Sequence, residues 1–320
     1  MKKVVFIDSV HGVLRDKLNS CGFICIDAVY KTKEEVLKET QDAFGIVVRS
    51  RFTLDRCFLE KANKLGFIAR SGSGTENIDL NYCHEKDIQV FSSPEGNRNA
   101  VAEHALGFIL ALLNNFKKSQ NEIALGEWNR PSNTGKELPN CTIGIIGCGN
   151  NGLALAKKLI ALGARVLVYD KYKSINEPGI EQVPLTAFYT EVDVLSFHVP
   201  QTKETLYMGD FSFFSQFKKP LIVLNISRGK VLKTSGLVRA IKEGFVQKAA
   251  LDVLEYETKS FEQFFENELP EDFLFLKNNE NVMLTPHVAG WTEESYYKLS
   301  NVLASKIINR FCTKENEPLF

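Results

Sequence analysis

Short apolar runs alternate with amphipathic segments through roughly the first hundred residues of the chain. Runs such as VVFI and GIVV have the length of buried strands, whereas the segment TKEEVLKETQDAF between two such runs has helical spacing. Strand followed by amphipathic helix, repeated, is typical of a mostly parallel sheet covered on both faces. The strands predicted in this first series begin near residues 4, 23, 45, 66 and 88.

A second series of the same kind follows a break in the pattern. The apolar stretch AVAEHALGFILALLNNF, from Ala100, predicts a buried helix, and the polar segment GEWNRPSNTGKELPN after it predicts a loop. The last helical segment, 292–311, has no further strand to feed, so we expect it to pack on the first lobe. The strands predicted in the second series begin near residues 142, 165, 193, 221, 248 and 282.

The two series predict an α/β protein with two doubly wound parallel-sheet lobes. One lobe is predicted at 1–99 together with 292–320, hence discontinuous in sequence, and the other at 100–291. An acidic, aromatic insertion at 258–273 has no role that the sequence indicates.

Composition and charge narrow the functional class. The chain has 320 residues, enough for two cores, and its 39 basic residues balance 39 acidic ones. Zero net charge excludes global attraction to nucleic acid or to an acidic membrane. No apolar segment has the length of a membrane span, and no signal peptide is recognisable at the N-terminus. The seven cysteines form no C-x-x-C pair, so we expect a reduced, cytoplasmic protein without a metal site.

A glycine-rich motif opens the second lobe. Gly147, Gly149 and Gly152 form G-x-G-x-x-G between the strand TIGII and a helical segment, which is the context of a dinucleotide-binding loop. The first glycine permits the tight turn, the second lets the backbone approach a pyrophosphate, and the third permits close contact of helix and sheet.

The next strand supplies a cofactor preference. RVLVYD ends in Asp170, 18 residues after Gly152, near the spacing at which a carboxylate meets the adenosine ribose hydroxyls. Such an acid repels a 2′-phosphate. Lys171 and Lys173 soften that repulsion, but no arginine stands beside the acid, so the sequence favours NAD over NADP.

Polar side chains follow three later strands of the same lobe. Arg228 lies in NISRGK, Glu257 in LDVLEYE and His287 in LTPHVAG. Ligands of open α/β sheets bind at the carboxyl ends of the strands. A histidine that transfers a proton, a carboxylate that fixes its tautomer, and an arginine that grips a carboxylate form the minimal set for oxidation of a 2-hydroxy acid. The chain has no H-E-x-x-H or G-x-S-x-G motif, which argues against zinc hydrolysis and serine nucleophile chemistry.

These motifs resemble the D-isomer-specific 2-hydroxyacid dehydrogenase family over essentially the whole chain. Seven segments match in order: ARSGSGTENID, SSPEGNRNAVAEHALG, IIGCGNNG, SFHVPQTKET, NISRGKVL, ALDVLEYE and TPHVAGWTEES. The resemblance implies a flavodoxin-like substrate domain in the first lobe and a Rossmann NAD-binding domain in the second. The sequence departs from the family pattern at Thr258, where proline is usual, and at the pair Thr75 and Glu76.

The resemblance also implies roles for individual residues. Arg228 holds the substrate carboxylate and carbonyl, His287 exchanges the proton of the C2 oxygen, and Glu257 supports His287. Asp252 meets the nicotinamide carboxamide, and backbone N–H groups of 71–73 cradle the carboxylate. The cofactor-binding residues predicted are Val101, Gly147, Gly149, Asn150, Asn151, Gly152, Asp170, His198, Val199, Pro200, Ile226, Asp252 and Gly290. The substrate-binding residues predicted are Arg49, Arg51, Arg70, Ser71, Gly72, Ser73 and Asn97.

Three arginines in the first lobe bear on the substrate. Arg49 and Arg51 stand at i and i+2 after a strand, hence on one face of an extended chain, and Arg70 closes a neighbouring strand. Three guanidinium groups exceed what one carboxylate needs, so they predict a second anionic group such as a phosphate, each charge-assisted hydrogen bond contributing roughly 1.5 to 3 kcal/mol. The alternative is that one or two of these three arginines pair with surface acids and do not bind substrate.

The patterns V-R-S-R and A-R-x-G-x-G resemble 3-phosphoglycerate dehydrogenases more closely than glyoxylate or lactate-type members of the family. The predicted reaction is therefore oxidation of 3-phosphoglycerate to 3-phosphohydroxypyruvate, the first committed step of serine synthesis. The sequence ends at Phe320, so we expect the C-terminal regulatory domain used by many such enzymes for serine feedback to be absent.

Two other functions stay open. One is a 2-ketoacid reductase acting on hydroxypyruvate, glyoxylate or a branched substrate; the other is an NAD(H)-sensing scaffold like the transcriptional corepressors of the same family. The resemblance further implies a homodimer formed through the helix from Ala100 and the loop after it.

Overall fold

The computed structural model describes residues 2–257 and 269–312, so most of the insertion predicted at 258–273 lies outside the described residues. The described chain divides into two compact units: 2–97 with 291–312, and 98–257 with 269–290. Which unit binds substrate and which binds cofactor stays a prediction at this point.

The strands are β1 (Lys2–Phe6), β2 (Phe23–Asp27), β3 (Gly45–Val48), β4 (Phe67–Arg70), β5 (Gln89–Ser92), β6 (Thr142–Ile146), β7 (Arg165–Tyr169), β8 (Ile180–Gln182), β9 (Val194–Phe197), β10 (Leu221–Asn225), β11 (Val246–Leu251) and β12 (Val282–Leu284). The α-helices are α1 (Val13–Ser20), α2 (Lys33–Thr40), α3 (Arg56–Leu59), α4 (Leu80–Glu85), α5 (Pro94–Leu113), α6 (Phe116–Ala124), α7 (Asn150–Ala161), α8 (Leu185–Glu191), α9 (Phe211–Phe214), α10 (Thr234–Lys242), α11 (Glu271–Asn278) and α12 (Glu293–Phe311).

The sheet of the first unit is parallel, with strand order β2-β1-β3-β4-β5. Its central strands β3 and β4 are buried at every position, because helices cover both faces. Alternate residues of β1 enter different cores: Val5 packs with α2, α3 and α4, whereas Val4 and Phe6 pack with α1 and α12. The order is that of a flavodoxin-like sheet.

The sheet of the second unit is also parallel, with order β12-β11-β10-β9-β6-β7-β8. Helices α5 and α7 pack on one face, and α8 to α11 on the other. The chain adds β7 and β8 on one side of β6 and then β9 to β12 on the other, so the strand order switches between β6 and β9. This is the arrangement of a Rossmann fold, and such sheets bind ligands at the switch. The predicted α/β class with two doubly wound lobes is confirmed.

Local signals explain where several helices begin. Thr32 and Glu35 form a capping box at α2, and Asp55 accepts a hydrogen bond from the Phe58 N–H at the start of α3. Thr292 caps α12 in the same way. That last helix buries Leu303, Ala304 and Ile307 against the first sheet, as its apolar spacing requires.

Three details differ from the sequence prediction. The helix expected from Ala100 begins at Pro94, a residue suited to a first helical position, and it ends before Asn115, whose φ of 56° breaks the helix and starts α6. Strand β8 was not predicted, since it has three residues at the sheet edge and no apolar run.

Within the described residues, no helix is long and apolar enough to cross a membrane.

Candidate active site

Three loops of the second unit carry the predicted catalytic side chains. They follow β10, β11 and β12, which are neighbours in the sheet, so their carboxyl ends lie at one edge. Backbone hydrogen bonds join the loops: the Asp252 N–H donates to the Asn225 carbonyl, and the His287 N–H donates to the Asp252 carbonyl at 2.8 Å. The sheet therefore brings Arg228, Glu257 and His287 to one region of this unit.

A histidine and a carboxylate form the centre of this region. His287 Nδ1 lies 2.6 Å from Glu257 Oε2, and the other oxygen of Glu257 accepts the Leu254 N–H at 2.6 Å. With Glu257 ionised, Nδ1 carries the proton, which leaves Nε2 as the base of the neutral ring. The Glu257 side chain is 11% exposed and the His287 side chain 27% exposed, so the acid is shielded while the imidazole still reaches solvent.

The backbone at His287 is held in an uncommon conformation. Its φ of 54° is left-handed, a region that residues other than glycine seldom adopt. The carboxylate of Asp252 holds the surrounding loop: Oδ1 accepts the Val288 N–H and Oδ2 the Ala289 N–H, each at 2.9 Å. Asp252, 2% exposed, thus positions the histidine loop; its predicted contact with the nicotinamide stays a prediction.

The arginine loop is packed closely against the glutamate loop. A Cβ on Gly229 would lie 1.9 Å from the Leu254 carbonyl oxygen, so only glycine fits after Arg228. Asn225 donates from Nδ2 to the Arg228 carbonyl at 3.0 Å, and one guanidinium nitrogen of Arg228 donates to the Ser227 carbonyl at 2.7 Å. The first bond holds the backbone of Arg228 and the second holds its side chain.

Two residues of this region were missed by the sequence analysis. Thr285 donates from Oγ1 to Asp252 Oδ1 at 2.5 Å, and His104 Nε2 lies 3.2 Å from the same hydroxyl oxygen. Because the threonine proton is directed at the carboxylate, His104 Nε2 acts as the donor. The signal was present, since His104 and its neighbour Glu103 are the polar residues within the apolar stretch of α5, but the partner of His104 lies in a distant segment.

The glycine loop after β6 has the geometry that its motif predicts. Gly147 has a φ of 91°, and a Cβ there would lie 2.7 Å from the His198 carbonyl oxygen. A Cβ on Gly152 would lie 2.1 Å from the Gly147 carbonyl oxygen, so helix α7 starts in close contact with the loop. Both positions exclude any larger residue.

The surroundings of this loop fit a bound dinucleotide. A Cβ on Gly149 would meet no atom within 4 Å, and no side chain caps the N-terminus of α7. Two buried polar atoms near the loop, Asn151 Oδ1 and His198 Nδ1, have no hydrogen-bond partner among the described residues. An open glycine at an uncapped helix N-terminus is suited to a pyrophosphate.

Asp170 ties the end of β7 to the glycine loop. Its Oδ2 accepts the Cys148 N–H at 2.8 Å, and Oδ1 accepts the N–H groups of Tyr172 and Lys173, each at 3.0 Å. Burial acts to raise the pKa of this carboxyl, but the three backbone donors outweigh it and hold the pKa below its usual value. A charged carboxylate has lone pairs left for ribose hydroxyls and repels an added phosphate.

His198, at the end of β9, is a neutral histidine beside the same loop. Its Nε2 lies 2.8 Å from Ser196 Oγ, and burial lowers its pKa to about 4 from the ordinary 6.5. Val199 packs near Gly147, and the Pro200 carbonyl accepts the Thr205 hydroxyl at 2.6 Å.

The low pKa of His198 predicts a pH dependence of stability. The unfolded chain takes up a proton near pH 6.5 and the folded chain near pH 4, so this contribution is full above pH 6.5 and is lost as pH falls between the two values. We expect His198→Asn to flatten the fall in the free energy of unfolding over this range by up to about 3 kcal/mol. Urea unfolding of both proteins between pH 4 and 7 measures the difference. If the free energy of unfolding falls equally with pH in both proteins, His198 is not the cause of the fall.

The first unit places Arg49 and Arg51 in different environments. Arg51 does not face the same way as Arg49, because the chain stops being extended after Val48: the N–H groups of residues 49, 50 and 51 all donate to one oxygen of Asp8. The guanidinium of Arg51 donates to the carbonyls of Ile7, Ala28 and Lys31 at 2.6 to 3.2 Å. Arg51 therefore holds loops of its own unit together, and its contact with substrate stays a prediction.

Arg49 has a different environment. Its guanidinium carbon lies 4.3 Å from the ring centre of Trp291, just before α12, and 5.8 Å from that of Tyr296, in the first turn of α12. The aromatic faces hold the arginine by cation–π attraction.

Loss of the Arg51 side chain is expected to lower the stability of the protein. Arg51→Ala removes three hydrogen bonds to backbone carbonyls, so we expect the free energy of unfolding to fall by about 1 to 3 kcal/mol. Arg56→Ala is the matched control, because its ion pair with Glu85 is about half exposed and such pairs contribute little. Chemical denaturation of the three proteins measures this, and equal stability of Arg51→Ala and Arg56→Ala would contradict the structural role.

The loop after β4, which the sequence predicts to bind the substrate carboxylate, makes several contacts within its own unit. The Ser71 N–H donates to the Val48 carbonyl at 2.8 Å, continuing the β3–β4 ladder, and the predicted contact of this loop with a carboxylate stays a prediction. Gly72 has a φ of 149° and a Cβ there would lie 1.5 Å from an Arg70 nitrogen. Ser73 Oγ donates to Asn97 Oδ1 at 3.0 Å.

The other predicted cofactor residues fall into two groups. Val101 and Ile226 are buried in the core of the second unit, 5% and 6% exposed, so their visible contacts are with that core. Asn150 and Asn151 lie in the first turn of α7, and Gly290 follows the histidine loop. Cofactor contact by these residues stays a prediction.

The comparisons with known proteins agree with this geometry. Residues 106–289 match the family model described as "D-isomer specific 2-hydroxyacid dehydrogenase, NAD binding domain", which is more than half of the chain. The match to an NAD binding domain confirms the predicted cofactor.

Among curated proteins, the chain is 34% identical over 281 residues to "D-3-phosphoglycerate dehydrogenase" of Archaeoglobus fulgidus, covering 87% of this chain and 51% of that protein. It is 32% identical over 275 residues to "Hydroxypyruvate reductase" of Thermotoga maritima, covering 86% and 87%. The chain spans about half the length of the first three curated relatives it matches.

Solved structures of dehydrogenases are also similar to this chain. A D-lactate dehydrogenase from Aquifex aeolicus, complexed with NAD and lactic acid, has a TM-score of 0.81 and 29% identity, covering 97% of this chain and 95% of that one. A D-2-hydroxyisocaproate dehydrogenase has a TM-score of 0.84 at 25% identity, covering 99% and 98%. With its glycine loop, its histidine–glutamate pair and these matches, the chain belongs to the D-isomer specific 2-hydroxyacid dehydrogenase family.

Proposed function

We propose that this chain catalyses the NAD-dependent oxidation of a D-2-hydroxy acid, with 3-phosphoglycerate as the favoured substrate and 3-phosphohydroxypyruvate as its product. The observation that carries the proposal is the 2.6 Å hydrogen bond between His287 Nδ1 and Glu257 Oε2 in the loops after β12 and β11. We propose that this reaction serves as the first committed step of serine synthesis.

The residues of the second unit have separate tasks in this reaction. His287 Nε2, the basic nitrogen of the neutral ring, accepts the proton of the C2 hydroxyl, and Glu257 stabilises the imidazolium that forms. The planar guanidinium of Arg228 is suited to a two-point grip on the substrate carboxylate. NAD, when bound, would be the acceptor of the hydride that leaves C2. In reduction the same residues act in reverse, with His287 as the proton donor.

The phosphorylated substrate is supported by two independent arguments. Several curated relatives carry the name D-3-phosphoglycerate dehydrogenase, at 29% to 34% identity. With Arg51 assigned to the fold, Arg49 and Arg70 remain as the basic residues of the first unit proposed to bind the phosphate. Two arginines are still sufficient for one phosphate group.

A substrate panel tests this assignment. With NAD and the purified chain, we expect 3-phosphoglycerate to have a higher kcat/KM than D-glycerate or D-lactate. Arg49→Ala is expected to lower kcat/KM for 3-phosphoglycerate by roughly tenfold or more, the loss of one charge-assisted contact, and to leave D-glycerate nearly unchanged. Equal losses on both substrates would contradict the phosphate assignment while leaving the dehydrogenase activity in place.

One alternative has an observation of its own. The Thermotoga relative named hydroxypyruvate reductase matches over 87% of its length, more than the 51% covered in the Archaeoglobus relative. Faster NADH oxidation with hydroxypyruvate than with 3-phosphohydroxypyruvate would favour this reductase.

We further propose a homodimer in a reducing, cytoplasmic compartment. Exposed apolar side chains on α6 and the segment after it support the dimer: Ile123 is 54%, Leu125 77% and Trp128 81% exposed. All seven cysteines are free thiols, which supports the compartment. Sedimentation equilibrium of the chain and of Leu125→Glu tests the dimer; a monomeric parent chain would refute it.

A further inference from the structure

A contact crosses the glycine loop of the second unit. Lys171 Nζ, directly after Asp170, lies 2.8 Å from Glu204 Oε1, and the Tyr172 hydroxyl donates to Glu204 Oε2 at 2.6 Å. Glu204 follows β9 and the two donors follow β7, and the sheet order β9-β6-β7 puts the glycine loop between them. One carboxylate therefore engages both donors across the mouth of the proposed cofactor site.

These donors come directly after Asp170, the residue proposed to meet the adenosine ribose. Asp170 is the proposed partner of the adenosine ribose, and its Oδ1 already holds the N–H groups of Tyr172 and Lys173. A phosphate on that ribose would require positive charge and hydroxyl donors from the residues just after Asp170. Lys171 and Tyr172 have the right chemistry, but both are directed at Glu204.

We propose that Glu204 is a cofactor-specificity residue, which excludes NADP by holding Lys171 and Tyr172 and by adding a second negative charge beside that of Asp170. The inference rests on the proposed function, since it assumes that the chain binds NAD at the glycine loop. In this way Lys171, one of the two lysines close to Asp170, is engaged by Glu204 and not by a 2′-phosphate. Lys173, the next lysine along the chain, donates its backbone N–H to Asp170 Oδ1 and is not held by Glu204 in the contacts described.

Binding of cofactor fragments tests the proposal without relying on turnover. We expect Glu204→Ala to lower the dissociation constant of adenosine 2′,5′-bisphosphate by about five- to tenfold, because one lysine and one hydroxyl become available to its 2′-phosphate. The dissociation constants of 5′-AMP and NAD are expected to change by less than about twofold. Isothermal titration calorimetry with the full chain measures all three.

Two further variants make the result specific. Glu181→Gln is the matched control, because Glu181 also pairs with a basic side chain, Arg165, at the surface of the same unit. It is expected to leave all three constants unchanged. The double variant Glu204→Ala/Lys171→Met is expected to lose most of the gain for the 2′-phosphate.

The outcomes separate this proposal from the proposed function. Unchanged affinity of Glu204→Ala for the bisphosphate, or an equal gain in Glu181→Gln, overturns the role of Glu204 while NAD binding stands. Failure of the parent chain to bind either NAD or 5′-AMP overturns the proposed function and this inference with it. A gain that survives in the double variant overturns the role of Lys171.

Discussion

His287→Asn is expected to lower kcat by about 10²- to 10⁴-fold, the range that a positioned general base contributes. Asparagine is the chosen replacement because it tolerates the left-handed φ of 54° at this position, where alanine would add backbone strain to the loss of the imidazole. The affinity for NAD is expected to stay within about twofold, because the glycine loop follows a different strand, β6. Steady-state NADH formation and calorimetric NAD binding measure the two effects.

Glu257→Gln provides the comparison for this result. The amide keeps the shape of the side chain but no longer stabilises an imidazolium at His287, so kcat should fall by less than in His287→Asn. Retention of more than a tenth of the parent kcat by His287→Asn would contradict the assignment of His287 as the base.

Arg228 is expected to give the second large effect, seen in kcat/KM. Two charge-assisted hydrogen bonds to a carboxylate contribute roughly 1.5 to 3 kcal/mol each, so Arg228→Gln should lower kcat/KM by about 10²- to 10⁴-fold. Arg228→Lys keeps the charge but loses the fork and should recover part of that loss. Initial rates over a range of substrate concentrations give these values.

Lys230→Ala is the matched control, because Lys230 is an exposed cation two positions along the same loop. It should leave kcat/KM nearly unchanged. Since Arg228 also donates to the Ser227 carbonyl, thermal unfolding of each variant separates loss of substrate binding from loss of structure. Equal losses in Arg228→Gln and Lys230→Ala would assign the effect to general electrostatics.

The sequence predicted most of the fold because buried parallel strands are continuous apolar runs. Strands such as β3 and β10 are buried at every residue, so their apolar runs are visible without any tertiary information. β8 has one half-buried and two exposed residues, and it pairs only with β7 at the sheet edge, so no pattern marks it. Strand order depends on contacts between distant segments and was not predictable from the runs alone.

The candidate site was predictable where a motif carries its own geometry. The glycine spacing fixes the loop before α7, and Glu257 and His287 follow neighbouring strands. Arg51 could not be assigned in the same way, because the alternation of a strand ends at Val48 and Asp8, from a distant segment, turns the backbone. Likewise, nothing near Lys171 in sequence reveals that Glu204 holds it.

NADH formation from separate enantiomers is the most direct test of the central claim. The purified chain is incubated with NAD and either the D or the L form of the best 2-hydroxy acid in the panel, alongside His287→Asn. The account predicts NADH from the D form alone, in equal amount to the 2-keto acid formed, and at most about a hundredth of that rate with His287→Asn. Equal rates from both enantiomers, or NADH formation that does not depend on His287, would contradict it.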